Sequence, residues 1–259
     1  MTPRTAGLLL VAALLLAIGG GAVAYVVFLR GDEVAPLALP SAAATEPSSN
    51  AGPTSSAAAA VASGGASLGP GSSSALDAAS IPGTWTIGTD SVVGYRVRER
   101  LASLTADSDA VGRTSSVTGT ATIASSAGAM SLTAADFSVD MTSLRSDRQM
   151  RDNRLRNDGI QTDQFPTSTF KLTQPVALPT AAPSGAQFAV TLHGDLTLHG
   201  VTRTIDLQAQ ARLSGSLIQV AGSYAFPFSD YQINAPNIAN FVAVQDTGTL
   251  EFLINLQKT

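Results

Sequence analysis

The stretch QFAVTLHGDLTL, Gln187 to Leu198, decides the fold. Its even positions Phe188, Val190, Leu192, Leu196 and Leu198 are apolar, while Thr191, His193, Asp195 and Thr197 occupy odd ones. A repeat of two puts alternate side chains on opposite faces of a strand, one toward a core and one toward water. The same period recurs on both sides. Upstream it is carried by Trp85 and Ile87, by Val93, Tyr95 and Val97, by Val117, Gly119, Ala121 and Ile123, by Phe137, Val139 and Met141, and by Phe170 and Leu172. Downstream it continues through Ile205, Leu207, Ala209, Ala211 and Leu213, then Ile218, Val220, Tyr224 and Phe226, and finally Leu250, Phe252, Ile254 and Leu256.

One-sided burial in every run, with no helical period between runs, excludes a parallel α/β architecture. A half-buried antiparallel sheet remains, as a closed up-and-down barrel or a two-sheet sandwich. One segment breaks the pattern. Leu144 to Asp158, LRSDRQMRDNRLRND, lacks β-branched residues and reads as a short helix across one end of the sheet, anchored by Leu144 and Leu155. Ser146 is placed to cap its start and Gly159 to end it. Asp147 with Arg151, and Asp152 with Arg156, have the i,i+4 spacing of helix ion pairs.

The remainder of the chain is of another kind. Ala6–Leu29 is an uncharged run of 24 residues, which as a helix reaches roughly 36 Å, enough to cross a hydrocarbon core. Arg4 precedes it and Asp32 and Glu33 follow Arg30, so the expectation is a transmembrane anchor over 1–30 with the N-terminus cytoplasmic and the rest extracytoplasmic. A signal peptide cleaved after Ala22-Val23-Ala24 is the rival, and would make the domain a secreted one. Residues 31–82, rich in Ala, Ser, Gly and Pro, read as a disordered linker. The folded domain is then 83–259.

Composition narrows the chemistry. There is no cysteine, hence no disulfide, lipidated cysteine or thiolate catalyst. A net charge of −4 gives no reason to expect nucleic acid as partner. His193 and His199, the two histidines, sit six apart without cysteines or dense carboxylates. They read as exposed strand residues, not metal ligands. No nucleophile elbow, paired-carboxylate spacing or phosphate-cradling loop is present. No catalytic residue, metal or cofactor is therefore expected.

Three motifs carry a resemblance. Arg151-Asp152-x-x-Leu155, followed by Gly159-Ile160, Phe165-Pro166-Thr167 and Phe170, is the first. Gly194-x-Leu196-Thr197-Leu198-x-Gly200-Val201-Thr202-Arg203 is the second, and Ser229-Asp230-Tyr231-x-Ile233 through Phe241-Val242 the third. In order and spacing the domain resembles the YceI-like family of exported lipid-binding proteins. It departs from the family pattern at Arg154, where a histidine is common, and near Ile160, where paired aromatics are usual.

The resemblance implies an all-β, eight-stranded, lipocalin-like antiparallel barrel whose interior takes a long isoprenoid or fatty amphiphile. On that basis Phe137, Val139, Phe170, Phe188, Val190, Leu192, Tyr224, Phe252 and Ile254 are candidates to line a tail tunnel, with ordinary core as the plain alternative. Tyr224 carries a phenol able to orient a ligand's polar end. Arg148, Arg151, Asp152 and Arg154 are candidates to hold a head group or to fasten the helix; the opposing reading is a solvated face neutralised by Asp147, Asp152 and Asp158. The functional expectation is a membrane-tethered binding protein that sequesters its ligand without chemistry. The alternatives are a solid-core module of the cell envelope and, less favoured, a lipid hydrolase.

Overall fold

The computed structural model describes residues 34–40, 80–101, 107–179, 185–235 and 242–259. The expected anchor and most of the expected linker lie outside these residues. Among the described residues no helix is long and apolar enough to cross a membrane.

Twelve strands form one antiparallel sheet that closes on itself: β1 Gly83–Ile87, β2 Val92–Leu101, β3 Asp107–Thr114, β4 Val117–Ser126, β5 Ala129–Asp140, β6 Arg145–Ser146, β7 Thr167–Leu172, β8 Val176–Leu178, β9 Phe188–Leu198, β10 Val201–Ser214, β11 Leu217–Pro227 and β12 Val242–Lys258. Among the described residues one α-helix, α1 Gln149–Asn157, interrupts them. Closure comes from β12. One edge pairs with β11. The other pairs first with β2, through Val242–Leu253, and then with β1, through Leu256–Lys258. β1 and β2 thus make one wall of the barrel, and β3 with β4 the next, because β2 pairs with β3 and β1 with β4. β5 with β6, β7 with β8, and then β9, β10, β11 and β12 complete an eight-walled ring.

The alternation in the sequence sets which face turns inward. On β10, Ile205, Leu207, Ala209, Ala211 and Leu213 are buried while Asp206, Gln208 and Gln210 are exposed. Trp85, fully buried, joins the core from β1, and its indole N–H donates to the Ile81 carbonyl at 2.9 Å. At Gly194 of β9 the interior is too close for a side chain. A Cβ there would stand 2.4 Å from the Phe170 ring and 2.6 Å from the Lys171 carbonyl oxygen.

β3, DSDAVGRT, is a strand that apolar periodicity does not reveal. Its outer positions are held by charge: Arg98 lies opposite Asp109 and Arg100 opposite Asp107, at 3.0 and 2.8 Å. Cross-strand pairs of opposite charge stabilise a ladder that hydrophobic alternation does not mark.

The outer face of β10, β11, β12, β2 and β3 carries a polar belt. Arg96 bridges Glu251 at 2.6 Å and Asp109 at 3.0 Å. Arg212 donates to Gln219, which donates to Asn255, which donates to the Thr89 carbonyl. Leu37–Pro40 lie over this belt. The Leu37 N–H faces Glu251 Oε2 at 3.4 Å, and the Pro40 carbonyl accepts from Arg212 at 2.7 Å. Leu37 and Leu39 are half-buried, and Glu251 and Arg212 are only 3 % and 8 % exposed although they face away from the core. These four residues fall inside the stretch read as linker, yet they belong to the barrel's compact unit, which begins at Leu37.

Two outcomes test this account. Gly194→Ala forces Phe170 or the β7 backbone to move, and overpacking of this kind costs about 1–3 kcal/mol. A melting experiment should show a drop of about 2–4 °C for each kcal/mol. Asp109 is the second. Burial opposes its charge, but hydrogen bonds from Arg98 and Arg96 outweigh burial and hold the carboxyl below its usual range. A depressed folded value means the stabilisation is present above the ordinary aspartate pKa and is lost as pH falls through the folded one. The stability gap between the native chain and Asp109→Asn should therefore hold down to about pH 4 and close as the solution is acidified further.

Candidate functional site: an apolar cavity with a polar end

Inside the ring is a cavity of about 570 Å³. It exists because several inward positions are small. Ala121, Ala135 and Ala211 line it alongside larger aliphatics, so the eight walls are not filled by their own side chains. Phe137 and Val139 of β5, Phe170 of β7, Phe188, Val190 and Leu192 of β9, and Phe252 and Ile254 of β12 all line this cavity. Tyr224 does not. It is half-buried on β11 and stacks on Phe226 with ring centroids 6.0 Å apart.

One end of the cavity is polar, and α1 and β2 build it. Val93, Tyr95, Val97 and Glu99 share the inward parity of β2, so a carboxylate follows three apolar or aromatic residues into the interior. From α1 come Met150, Arg151, Arg154 and Leu155, and from its N-cap Arg148. Met150 is 77 % exposed, and the Arg148 and Arg154 side chains are about half exposed. The cavity therefore reaches solvent beside α1.

The Glu99 carboxylate receives Arg151 Nη2 at 2.6 Å, with both side chains largely buried. Arg151 also pairs with Asp147. Burial works against the guanidinium charge, but Glu99 and then Asp147 outweigh it and keep its pKa above the ordinary range. Arg151 thus both fastens α1 to β2 and faces the cavity. Asp152 fastens the helix to β6 instead, accepting from the Ser146 N–H at 2.9 Å and its hydroxyl at 2.7 Å. That bond replaces the expected Ser146 cap. The helix begins at Gln149, with Arg148 at the N-cap and no side-chain cap. With Asp152 engaged at Ser146, its expected partnership with Arg156 is not what holds the helix. Arg148 and Arg154 pair with Asp147 and Asp158, at 3.6 and 3.2 Å. Gly159 does not adopt the left-handed conformation expected of a helix-ending glycine. Gln161 does, at φ 51°, and its N–H caps the Leu155 carbonyl.

Tyr95 and Glu99 are absent from the candidates drawn from sequence, although the inward parity of β2 contained both. The Tyr95 hydroxyl oxygen is buried without a hydrogen-bond partner. Burial, opposed by Arg151, drives its pKa well above the usual phenol value, so it remains a protonated donor.

The histidines sit elsewhere. His193 is on the outer face of β9, its Nδ1 2.5 Å from Asp206 across the ladder. His199 corrects the expectation of an exposed strand residue. It occupies the β9–β10 turn at φ 51°, half-buried against Phe165, with its ring nitrogens 3.0 Å from the Tyr231 carbonyl and 2.9 Å from Gln161 Oε1. Neither histidine lines the cavity.

A closed antiparallel barrel around an apolar cavity with one polar, solvent-reaching end is the framework of a binding protein for slender apolar molecules. The chain belongs to the YceI-like family: the model of the YceI-like domain matches residues 85–256. Among solved structures it is similar to a polyisoprenoid binding domain from Saccharophagus degradans implicated in plant cell wall breakdown, at 20% identity and a TM-score of 0.52, covering 69% of this chain and 99% of that one. It is also similar to BcnA of Burkholderia cenocepacia, at 16% identity and a TM-score of 0.47, covering 65% and 98%. The YceI protein of Campylobacter jejuni matches at 18% identity and a TM-score of 0.39, covering 56% and 83%. No curated protein sequence matches the chain.

The Glu99–Arg151 pair has a measurable consequence. Glu99→Gln leaves Arg151 buried with Asp147 as its remaining charge partner, and should destabilise the fold by about 3 kcal/mol, the lower end for breaking a buried pair. Replacing both residues together, Glu99→Leu with Arg151→Met, should recover most of that loss in a urea titration.

Proposed function

We propose that this protein is a membrane-tethered, extracytoplasmic carrier that sequesters a long-chain amphiphile, an isoprenoid or related lipid, in the barrel interior. The observation that carries the reading is the apolar cavity itself, about 570 Å³ in the middle of the core and open beside α1. A tail entering it leaves water at about 0.8 kcal/mol per methylene. Ten methylenes therefore contribute about 8 kcal/mol before the cost of immobilisation is subtracted. Membership of the YceI-like family and likeness to a protein described as a polyisoprenoid binding domain support the same ligand class. The uncharged run Ala6–Leu29 supports the tether and the extracytoplasmic placement.

A solid-core envelope module is disfavoured by the cavity. A hydrolase acting through histidine is disfavoured because both histidines lie away from the cavity. The role is binding, with no chemical step.

The full chain, purified in mild detergent from the membranes of its expression host, should carry a lipid of defined mass in native mass spectrometry. Organic extraction should release it at about one equivalent per chain. A chain that arrives without lipid and also takes up neither prenyl alcohols nor fatty amphiphiles when these are added would sink the carrier reading.

A further inference from the structure

Within residues 31–82, mostly small and polar, one heptapeptide stands apart. Val34-Ala35-Pro36-Leu37-Ala38-Leu39-Pro40 sets two leucines at i and i+2 between two prolines. A residue that precedes proline is held extended, so Ala35 and Leu39 shape the backbone before any contact forms. Burial follows the same period. Leu37 and Leu39 are half-buried, while Ala38 between them is exposed.

The barrel wall at this segment is built to match. Register places three outward rows side by side on β10, β11 and β12: Gln208–Ser223–Glu251, Gln210–Ala221–Leu253 and Arg212–Gln219–Asn255. The middle row brings two apolar residues to the outside of the ring. Ala221 is 4 % exposed and Leu253 half-buried, although neither belongs to the core cluster. The Leu37 N–H meets Glu251 in the first row, and the Pro40 carbonyl meets Arg212 in the third. The two leucines therefore cross above the middle row. A carboxylate and a guanidinium take the two ends of an extended backbone, with apolar surface between them.

We propose that the outer face of β10–β12 is a docking groove for an extended Leu-x-Leu-Pro segment, and that its occupant is this chain's own Leu37–Pro40, bound in cis. Docking divides the stretch read as linker. Residues 41–79 then join two points of one body, and only residues 31–36 remain between the uncharged run with its flanking Arg30 and the dock. That leash is about 20 Å long when fully extended, against about 170 Å for all of 31–82. Release of the segment lengthens the reach of the barrel about eightfold with no change in the barrel itself. The leash, unlike the dock, rests on the anchor reading above.

Two measurements on the full chain in mild detergent test this. The chain has no cysteine, so nitroxides can be placed at Ala38→Cys and at Ala134→Cys of β5, both exposed positions. One narrow distance is expected between them, and a broad distribution once Leu37→Ser and Leu39→Ser are added. A broad distribution with both leucines present overturns the dock, as does a narrow one that survives their loss. Dilution with excess unlabelled chain should leave the narrow distance in place. Its disappearance means that the segment docks on a second copy, and overturns the cis assignment. The second measurement adds a fluorescent peptide of residues 34–40. With an affinity of about 0.1 mM and the tethered copy acting at about 1 mM, the doubly substituted chain should bind the peptide about tenfold more tightly than the native chain. A substituted chain that takes up no peptide at several millimolar overturns the dock, because a site that weak would stand empty in the native chain. An intact mass lacking the first two dozen residues overturns the leash and leaves the dock standing.

Discussion

The ladder that β12 makes along both its edges is the constraint on which the molecule depends. By pairing with β11 on one side and with β2 and then β1 on the other, it closes the sheet into a ring, leaving only short edges at β3, β6 and β8. Closure fixes the inward parity of every wall at once, since a slip of one residue anywhere would turn an entire apolar set to water. It also fixes the width of the interior. Where inward residues are bulky the ring is filled, as at Trp85; where they are alanines it is left with room.

The polar end follows from the same geometry. Parity along β2 carries Glu99 into the interior, and a carboxylate so placed needs a cation. α1 supplies one from a short helix that has no buried residue of its own. The helix is held there by directed bonds from Arg151 to Glu99 and from Ser146 to Asp152, with Leu155 as a half-buried contact. The pair that attaches the helix therefore also lines the end of the cavity.

Much of the barrel was legible in the sequence because burial on one face of a strand writes a period of two. Every run read that way, from Trp85 to Leu256, falls on a strand, except that Met141 lies just past β5 in a 3-10 turn. β3 was not legible, because its ladder is marked by Arg98–Asp109 and Arg100–Asp107, and charge pairing leaves no period within one strand. The cavity itself was not legible either, since a packed barrel and a hollow one alternate alike and the difference lies in how alanines from separate walls come together. Tyr224 shows the limit of parity: it is inward by period, yet its neighbour Phe226 and not the cavity receives its ring. Tyr95 and Glu99 show the converse. Both sat in plain view on an inward face, and only the arrival of α1 from some fifty residues downstream gives them their significance.

The way the ring closes also orders events in time. Trp85 of the first strand stands opposite Lys258 of the last, and β2 awaits the same partner. Until β12 has emerged from the ribosome, β1, β2 and β11 each present an unpaired edge, and the contacts still to form are those most distant along the chain. Completion of the barrel is thus deferred until β12 is available, and the walls made before it wait with open edges.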